Sequence, residues 1–179
     1  MVREGIIIRK CLSTRAALRA RLEDDVTRKE LVAEVQALVA EVVESLGLEC
    51  DSLEAARVEQ LLVWAAAERI SRLQDLVGEE LLFLWTLPRV VGRLETSREV
   101  VARVAGVVRE AALMDKTVVK ALKKVSTSEK LNFPAFMSDL RTILTGKSSG
   151  PPVLEILEVL GRDTAARRLD NYAGSCVHE

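Results

Sequence analysis

The chain has 179 residues, which is enough for one domain or two small domains with a buried core. Apolar residues make up 49% and charged residues 30% of the chain, a balance that excludes intrinsic disorder. No run approaches the ~18 uninterrupted apolar residues of a membrane span. The net charge is −1 but uneven: residues 1–115 carry 16 basic and 20 acidic side chains, whereas residues 116–168 carry ten and five. Because Ala, Leu, Val, Glu and Arg dominate, the composition predicts an all-α protein.

The cysteines and the single histidine argue against a metal site. Cys11, Cys50 and Cys176 are far apart, and His178 is the only histidine. No pair has the spacing of zinc ligands, so we predict reduced thiols of an intracellular or matrix protein.

Four helical segments are predicted in the first half of the chain. Thr27 with Glu30, and Asp51 with Glu54, have the spacing of a capping box, in which a side chain caps the first turn of a helix. Apolar residues recur at helical spacing in these segments, and the buried face of the second one extends to Leu46. The predicted segments are 14–22, 27–46, 51–77 and 80–85.

The second half predicts further helices. Thr96 with Glu99 forms another capping box, and the four-residue recurrence of valine after it favours a helix, with a buried strand as the alternative. Asn132 caps a later helix, with Pro134 in its first turn. The predicted segments are a helix over 97–113, a basic helix over 116–124, a linker over 126–128 and a helix from residue 132.

Residues 140–169 carry the most specific pattern. A helix ends at Gly146, a four-residue polar loop follows, and the pair Pro151-Pro152 begins a second helix. Gly161 ends that helix, and Asp163 can cap a third. We therefore predict three short helices around a loop that a double proline makes rigid.

The motifs of this stretch occur in a fixed order without a gap. They are Leu140-Arg141, Leu144-Thr145-Gly146, Pro151, Val153, Glu155-Ile156-Leu157, Leu160-Gly161 and Arg168-Leu169. The ordered set resembles the C-terminal end of bacterial-type glutamyl-tRNA synthetases. Residues 69–77 and 83–88 resemble the mitochondrial branch of that family. The resemblance extends from about residue 18 to residue 169.

The resemblance implies the anticodon-binding region of a class I aminoacyl-tRNA synthetase, formed by two consecutive helical bundles. These would cover residues 14–90 and 91–173, with a tail over 174–179. Residues 1–13 would be an unmatched leader, with a mitochondrial presequence as the alternative.

The function implied by the resemblance is recognition of the tRNA anticodon arm, as part of glutamate–tRNA ligation in mitochondrial translation. The expected partner is glutamate tRNA, with glutamine tRNA as a second candidate, and neither DNA nor a membrane is expected. We expect a monomer in the mitochondrial matrix, with the cytoplasm as the alternative compartment. The competing hypothesis is a helical protein-interaction or scaffold module that has lost RNA binding, which the slightly negative net charge favours.

The catalytic chemistry of the family is not expected in this chain. Class I synthetases bind ATP with a HIGH-like motif and a KMSKS-like loop, and the sequence contains neither. The triplet at 146–148 is not a phosphate-binding P-loop, because Arg141 stands where that motif needs glycine and a helix precedes it. We therefore expect no catalytic residue, metal or cofactor here, and ATP would bind to a catalytic domain absent from this chain.

Five positions around the proline pair are the main candidates for tRNA contact. By the resemblance, all of them except Lys147 lie where the family contacts anticodon bases, and splayed bases can be read by a guanidinium and by the backbone of a rigid turn. The alternative for Arg141 is a solvated ion pair with Asp139 or Glu155. The candidates are Arg141, Lys147, Gly150, Pro151 and Val153.

Three further sets of residues are candidates. Arg69 matches a family arginine that helps to distinguish the third anticodon base, with Arg72 as the alternative carrier. Both could instead belong to a salt-bridged helix face with Glu68.

Trp64 and Trp85 could stack on bases, but their apolar neighbours favour core packing. A basic stripe at helical spacing could contact stem phosphates, with a solvated face as the alternative; it consists of Lys116, Lys120, Lys123 and Lys124.

Overall fold

The computed structural model describes residues 14–110 and 116–174. Every regular element within these ranges is helical, which confirms the all-α prediction. The described residues divide into two compact units on either side of the Leu87–Pro88 bond. None of the described helices combines the length and the apolar composition needed to cross a bilayer. The predicted leader, the predicted tail beyond residue 174 and the end of the predicted helix over 97–113 lie outside the described residues.

In the described part of the first unit, residues 14–87, three mutually packed α-helices are followed by two short 3₁₀ turns. Their bounds are Arg15–Glu23 for α1, Asp25–Ser45 for α2 and Ala55–Glu68 for α3, with the turns at Leu73–Val77 and Leu82–Leu84. Trp85 is fully buried, and its Nε1 donates to the carbonyl of Leu76 at 2.6 Å. The core prediction is therefore confirmed for Trp85, whereas Trp64 is only half-buried.

Helix α2 begins and ends differently from the prediction. Asp24, and not Thr27, is the capping residue, since its carboxylate accepts a hydrogen bond from the Thr27 N–H at 2.9 Å. That bond lowers the pKa of Asp24 below its ordinary value of 3.8. Leu46, which was predicted on the buried face, is 54% exposed because the helix ends one residue earlier and Val43 takes the buried position.

Helix α3 is shorter than the predicted segment. Asp51 does not cap it, because its carboxylate pairs with Arg57 at 3.4 Å and the helix begins only at Ala55. The helix ends at Glu68 instead of continuing to residue 77. Asp75 accepts hydrogen bonds from the N–H groups of residues 71 and 72, and this arrangement begins a separate 3₁₀ turn.

Five helices lie in the described residues of the second unit, 88–110 and 116–174. They are α4 (Arg98–Glu110), α5 (Lys116–Ser128), α6 (Phe133–Thr145), α7 (Val153–Leu160) and α8 (Arg162–Gly174). The most extensive packing joins α4 to α8, and α6 and α7 also pack against α8. The side chain of Asn132 caps α6, and glycines with positive φ end two helices, Gly146 at +79° and Gly161 at +75°. These three predictions are confirmed.

Three local predictions in the second unit are wrong. Residues 126–128 are not a linker but the last turn of α5, where Ser126 is buried and donates to a carbonyl of its own helix. Thr96 does not cap α4, because its hydroxyl donates to Asp139 at 2.7 Å, and Ser97 accepts the capping bond instead. Asp163 lies inside the first turn of α8.

Candidate nucleic-acid interface

Arg141 lies in the C-terminal half of α6 and turns its guanidinium toward the loop that follows. Its Nε donates to the carbonyl of Pro151 at 3.0 Å, and its Nη1 donates to the carbonyl of Ser148 at 2.9 Å. The Asp139 carboxylate accepts hydrogen bonds from Thr96 and is not an ion-pair partner of Arg141, as the predicted alternative had it. Arg141 therefore ties both ends of the loop over residues 147–152, which we call the proline loop, to α6.

The turn into the proline loop is fixed by a threonine and a glycine. The Thr145 hydroxyl donates to the carbonyl of Arg141 at 2.8 Å and accepts from the N–H of Lys147 at 3.1 Å. Gly146 follows with φ at +79°, a conformation that L side chains rarely adopt, and a Cβ there would lie 3.4 Å from the carbonyl oxygen of Arg89. The direction of the chain leaving α6 is therefore set before the proline loop begins.

The proline loop is largely exposed, and the first residue of α7 after it is buried. Residues 147–150 and Pro152 are exposed, and Pro151 is half-buried. Gly150 has φ at +133°, with no atom within 4 Å of a Cβ built on it, so another molecule can approach its backbone closely. Val153 is only 2% exposed and packs in the core. A base contact by the Val153 side chain is thus inconsistent with its burial, and only its backbone N–H, in the first turn of α7, keeps the predicted role.

The lysine stripe of α5 lines an open cleft. Lys120, Lys123 and Lys124 are exposed and line it together with Thr127 and Ser128; its volume is about 510 Å³. The side chain of Lys116 lies outside the described residues. The cleft thus concentrates three positive charges on one helix face, which suits phosphate oxygens.

Arg69 and Arg72 lie in the first unit, beyond the end of α3. The Arg69 guanidinium carbon is 5.3 Å from the centroid of the half-buried Trp64 ring, within the range of a cation–π interaction. Arg72 is exposed and precedes the first 3₁₀ turn. Since α3 ends at Glu68, the predicted alternative of one salt-bridged helix face through Glu68, Arg69 and Arg72 is wrong.

The sequence analysis did not predict that several arginines bind main-chain carbonyls. In the first unit, Arg15 donates to the carbonyl of Ile70 at 2.6 Å and Arg19 donates to that of Ala66 at 2.9 Å, so both secure the end of α3. In the second unit, the fully buried Arg168 donates to the carbonyl of Leu144. The only signal for Arg168 was its place in the Arg-Leu motif, which indicated no partner.

The described residues contain no cluster of side chains suited to bind a metal ion. Within residues 14–110 and 116–174, no group of three or more His, Cys, Asp or Glu side chains is placed to hold a metal ion. Burial raises the pKa of the Cys50 thiol, with the nearby Asp51 charge as the second cause, and this disfavours its thiolate. The described surface therefore presents hydrogen-bond donors at the proline loop and positive charge in the α5 cleft.

Comparison with known proteins agrees with this arrangement. Glutamate–tRNA ligase 1 of Fervidobacterium nodosum is 39% identical over 56 residues, which are 31% of this chain and 12% of the ligase. A glutamate–tRNA ligase of Nitrobacter hamburgensis is 30% identical over 84 residues, which are 47% of this chain and 16% of the ligase. The chain thus matches only a small part of each of these relatives.

Two solved structures share the fold. A glutamate tRNA ligase from Elizabethkingia meningosepticum, crystallised with its amino acid, matches with a TM-score of 0.52 and 12% identity, covering 83% of this chain and 31% of that one. The glutamate–tRNA synthetase of Elizabethkingia anophelis matches with a TM-score of 0.51 and 12% identity, over 83% and 30% of the two chains. The family model described as "Anticodon binding domain" matches residues 30–173. Because that match covers most of the sequence, the chain belongs to the anticodon-binding domain family, and the resemblance to glutamyl-tRNA synthetases is confirmed.

Proposed function

We propose that this chain recognises the anticodon arm of a tRNA as part of a glutamate–tRNA ligase. The observation that carries the proposal is the proline loop, whose exposed tip is tied to α6 by Arg141 in a domain of the anticodon-binding family. The matched ligases supply the amino-acid class, since each is named for glutamate.

The proline loop suits the reading of unpaired bases. Bases of an anticodon are splayed out and present their edges, which backbone N–H and carbonyl groups can recognise. A loop already ordered by two arginine hydrogen bonds and two prolines loses little conformational entropy on binding. Arg141 donates to the loop through Nε and Nη1, so Nη2 is the guanidinium nitrogen that would donate to a base.

The lysine cleft of α5 would contact the phosphates of the anticodon stem. Lys120, Lys123 and Lys124 share an open face, and such contacts position the RNA without specifying its sequence. In the first unit, Arg69 with Trp64 offers a guanidinium and an aromatic ring, which are the two groups that stack on bases. Arg72 is the alternative carrier of that role.

The remaining features of the proposal concern the whole protein. We propose glutamate tRNA as the partner, with glutamine tRNA as a second candidate, and a monomeric protein. The ligation chemistry and the ATP site would belong to a catalytic domain, with no cofactor bound by the residues of this chain. The resemblance of residues 69–77 and 83–88 to the mitochondrial branch supports the mitochondrial matrix as the compartment, which imaging of the tagged full-length protein would test.

The test compares the purified chain with glutamate tRNA and with the same tRNA carrying a replaced anticodon, at about 50 and 200 mM salt. We expect tighter binding of the native anticodon, and an affinity that falls as salt rises. Equal binding of both tRNAs would mean phosphate contact alone and would refute anticodon reading. No binding at low salt would favour the protein-interaction module.

A further inference from the structure

We propose that Arg168 is a positioning residue for the proline loop, a role that rests on the proposed function only where RNA is concerned. Arg168 lies on α8 and is 1% exposed. Its Nη1 donates a buried hydrogen bond of 2.7 Å to the carbonyl of Leu144. Leu144 is the second-to-last residue of α6, directly before the Thr145-Gly146 turn. A guanidinium from one helix therefore holds the end of another at the point where the loop departs.

The chemistry of the site explains why arginine stands there. The last four carbonyls of an α-helix have no partner within the helix, and the C-terminus carries partial negative charge. The Leu144 carbonyl is one of these groups, and it is buried, so leaving it without a donor is costly. A buried positive charge is itself costly unless it is well bonded. Arg168 and the end of α6 thus stabilise each other.

The bond of Arg168 acts on the same turn as the bonds of Arg141. Arg141 ties the loop to α6, but it can hold the loop in one place only if the last turn of α6 is itself fixed. The N–H of Gly146 donates to the carbonyl of Thr142 at 2.8 Å, and the N–H of Lys147 donates to the Thr145 hydroxyl at 3.1 Å. Both amides lie within three residues of Leu144, so they report on the order of this turn.

Hydrogen exchange at these two amides tests the positioning role without RNA. We expect Arg168→Lys and Arg168→Met to speed exchange at Gly146 and Lys147 by about 10-fold or more, because the end of α6 frays locally. Lysine keeps the charge, but its shorter, non-planar head cannot reproduce the guanidinium geometry. The Lys variant keeps the test open if Arg168→Met does not fold.

Leu169→Ala is the matched control, since Leu169 is the next residue of α8 and is fully buried. It removes packing and leaves the Leu144 carbonyl with its donor. We expect it to lower the melting temperature and to change exchange across the second unit evenly. If the Arg168 variants change exchange evenly as well, or leave Gly146 and Lys147 unchanged, Arg168 is a general core residue and the proposal is wrong.

The RNA readout separates this proposal from the proposed function. We expect Arg168→Lys to reduce the preference for the native anticodon by about 5-fold or more, with little change in affinity for the tRNA with a replaced anticodon. If Arg168→Lys loosens the turn but keeps its full preference for the native anticodon, the turn does not position the groups that read the bases. If the unmodified chain does not discriminate at all, the proposed function fails, while the exchange measurement still decides the role of Arg168.

Discussion

Arg141→Ala removes the two hydrogen bonds that close the proline loop on α6. Hydrogen bonds that involve a charged group contribute about 1.5–3 kcal/mol each when buried, and this guanidinium is only half-buried, so solvent takes back part of that gain. We expect a loss of about 1–3 kcal/mol in the free energy of tRNA binding, which corresponds to roughly 5- to 150-fold in Kd. The loss should be largest for the native anticodon, because a loose loop must be ordered again before it can read bases.

The assay is equilibrium binding of glutamate tRNA and of its replaced-anticodon version to each variant. Arg103→Ala is the control, because it removes one exposed positive charge from the same unit, where Arg103 pairs with Glu129 far from the loop in sequence. Arg141→Lys should recover little, since one ammonium group cannot span both carbonyls. An Arg141→Ala affinity equal to that of Arg103→Ala would refute the argument and remove Arg141 from the site.

Three further outcomes are expected. Changing Lys123 and Lys124 to Gln should weaken both tRNAs alike and flatten the salt dependence of Kd, and a base-specific effect in that binding assay would contradict a phosphate role. Gly146→Ala should destabilise the fold by about 1–2 kcal/mol in thermal unfolding, because alanine resists its left-handed φ, whereas Gly106→Ala in α4 should stabilise by about 0.5–1 kcal/mol; effects of the same sign would count against this reasoning. The lowered pKa of Asp24 means that its contribution is present above about pH 3.8 and is lost as the pH falls below that value. The difference in melting temperature between the unmodified chain and Asp24→Asn should therefore shrink on acidification, and a constant difference would be inconsistent with a charged cap.

The sequence predicted those helix ends that have a single local cause. Asn132 before a proline, and glycines at 146 and 161, each have one strong conformational preference, and no nearby residue competes for the same role. The capping boxes failed for the opposite reason. In a chain rich in Glu, a Thr or Asp often stands three residues before a Glu by chance, so this spacing alone does not identify a cap. In α2, Asp24 also competes with Thr27 and accepts the capping hydrogen bond from the Thr27 N–H.

The position of the proline loop could be predicted, but its hydrogen bonds could not. Glycine, serine and proline mark a loop by their own conformational preferences. The acceptors of Arg141 are main-chain carbonyls, which every residue carries, so no side chain in the sequence identifies them. The prediction therefore looked for carboxylates, Asp139 and Glu155, as partners. Burial of Val153 was equally available from its helical spacing with Ile156 and Leu157, yet the resemblance assigned it a contact with bases.

Because two arginines bind main-chain carbonyls, part of the positive charge of the second unit is not available to RNA phosphates. Residues 116–168 carry ten basic and five acidic side chains, an excess of positive charge that attracts RNA phosphates. Arg168, however, is buried against the carbonyl of Leu144, and Arg141 faces the carbonyls of its own loop. Among the exposed basic side chains of this unit, Lys120, Lys123 and Lys124 share one cleft, whereas Lys130, Lys147, Arg162 and Arg167 do not line it. Phosphate contacts by the three cleft lysines alone give a slope of log K against log salt of about −2 to −3, so a much steeper slope would mean that other exposed basic side chains also contact phosphates.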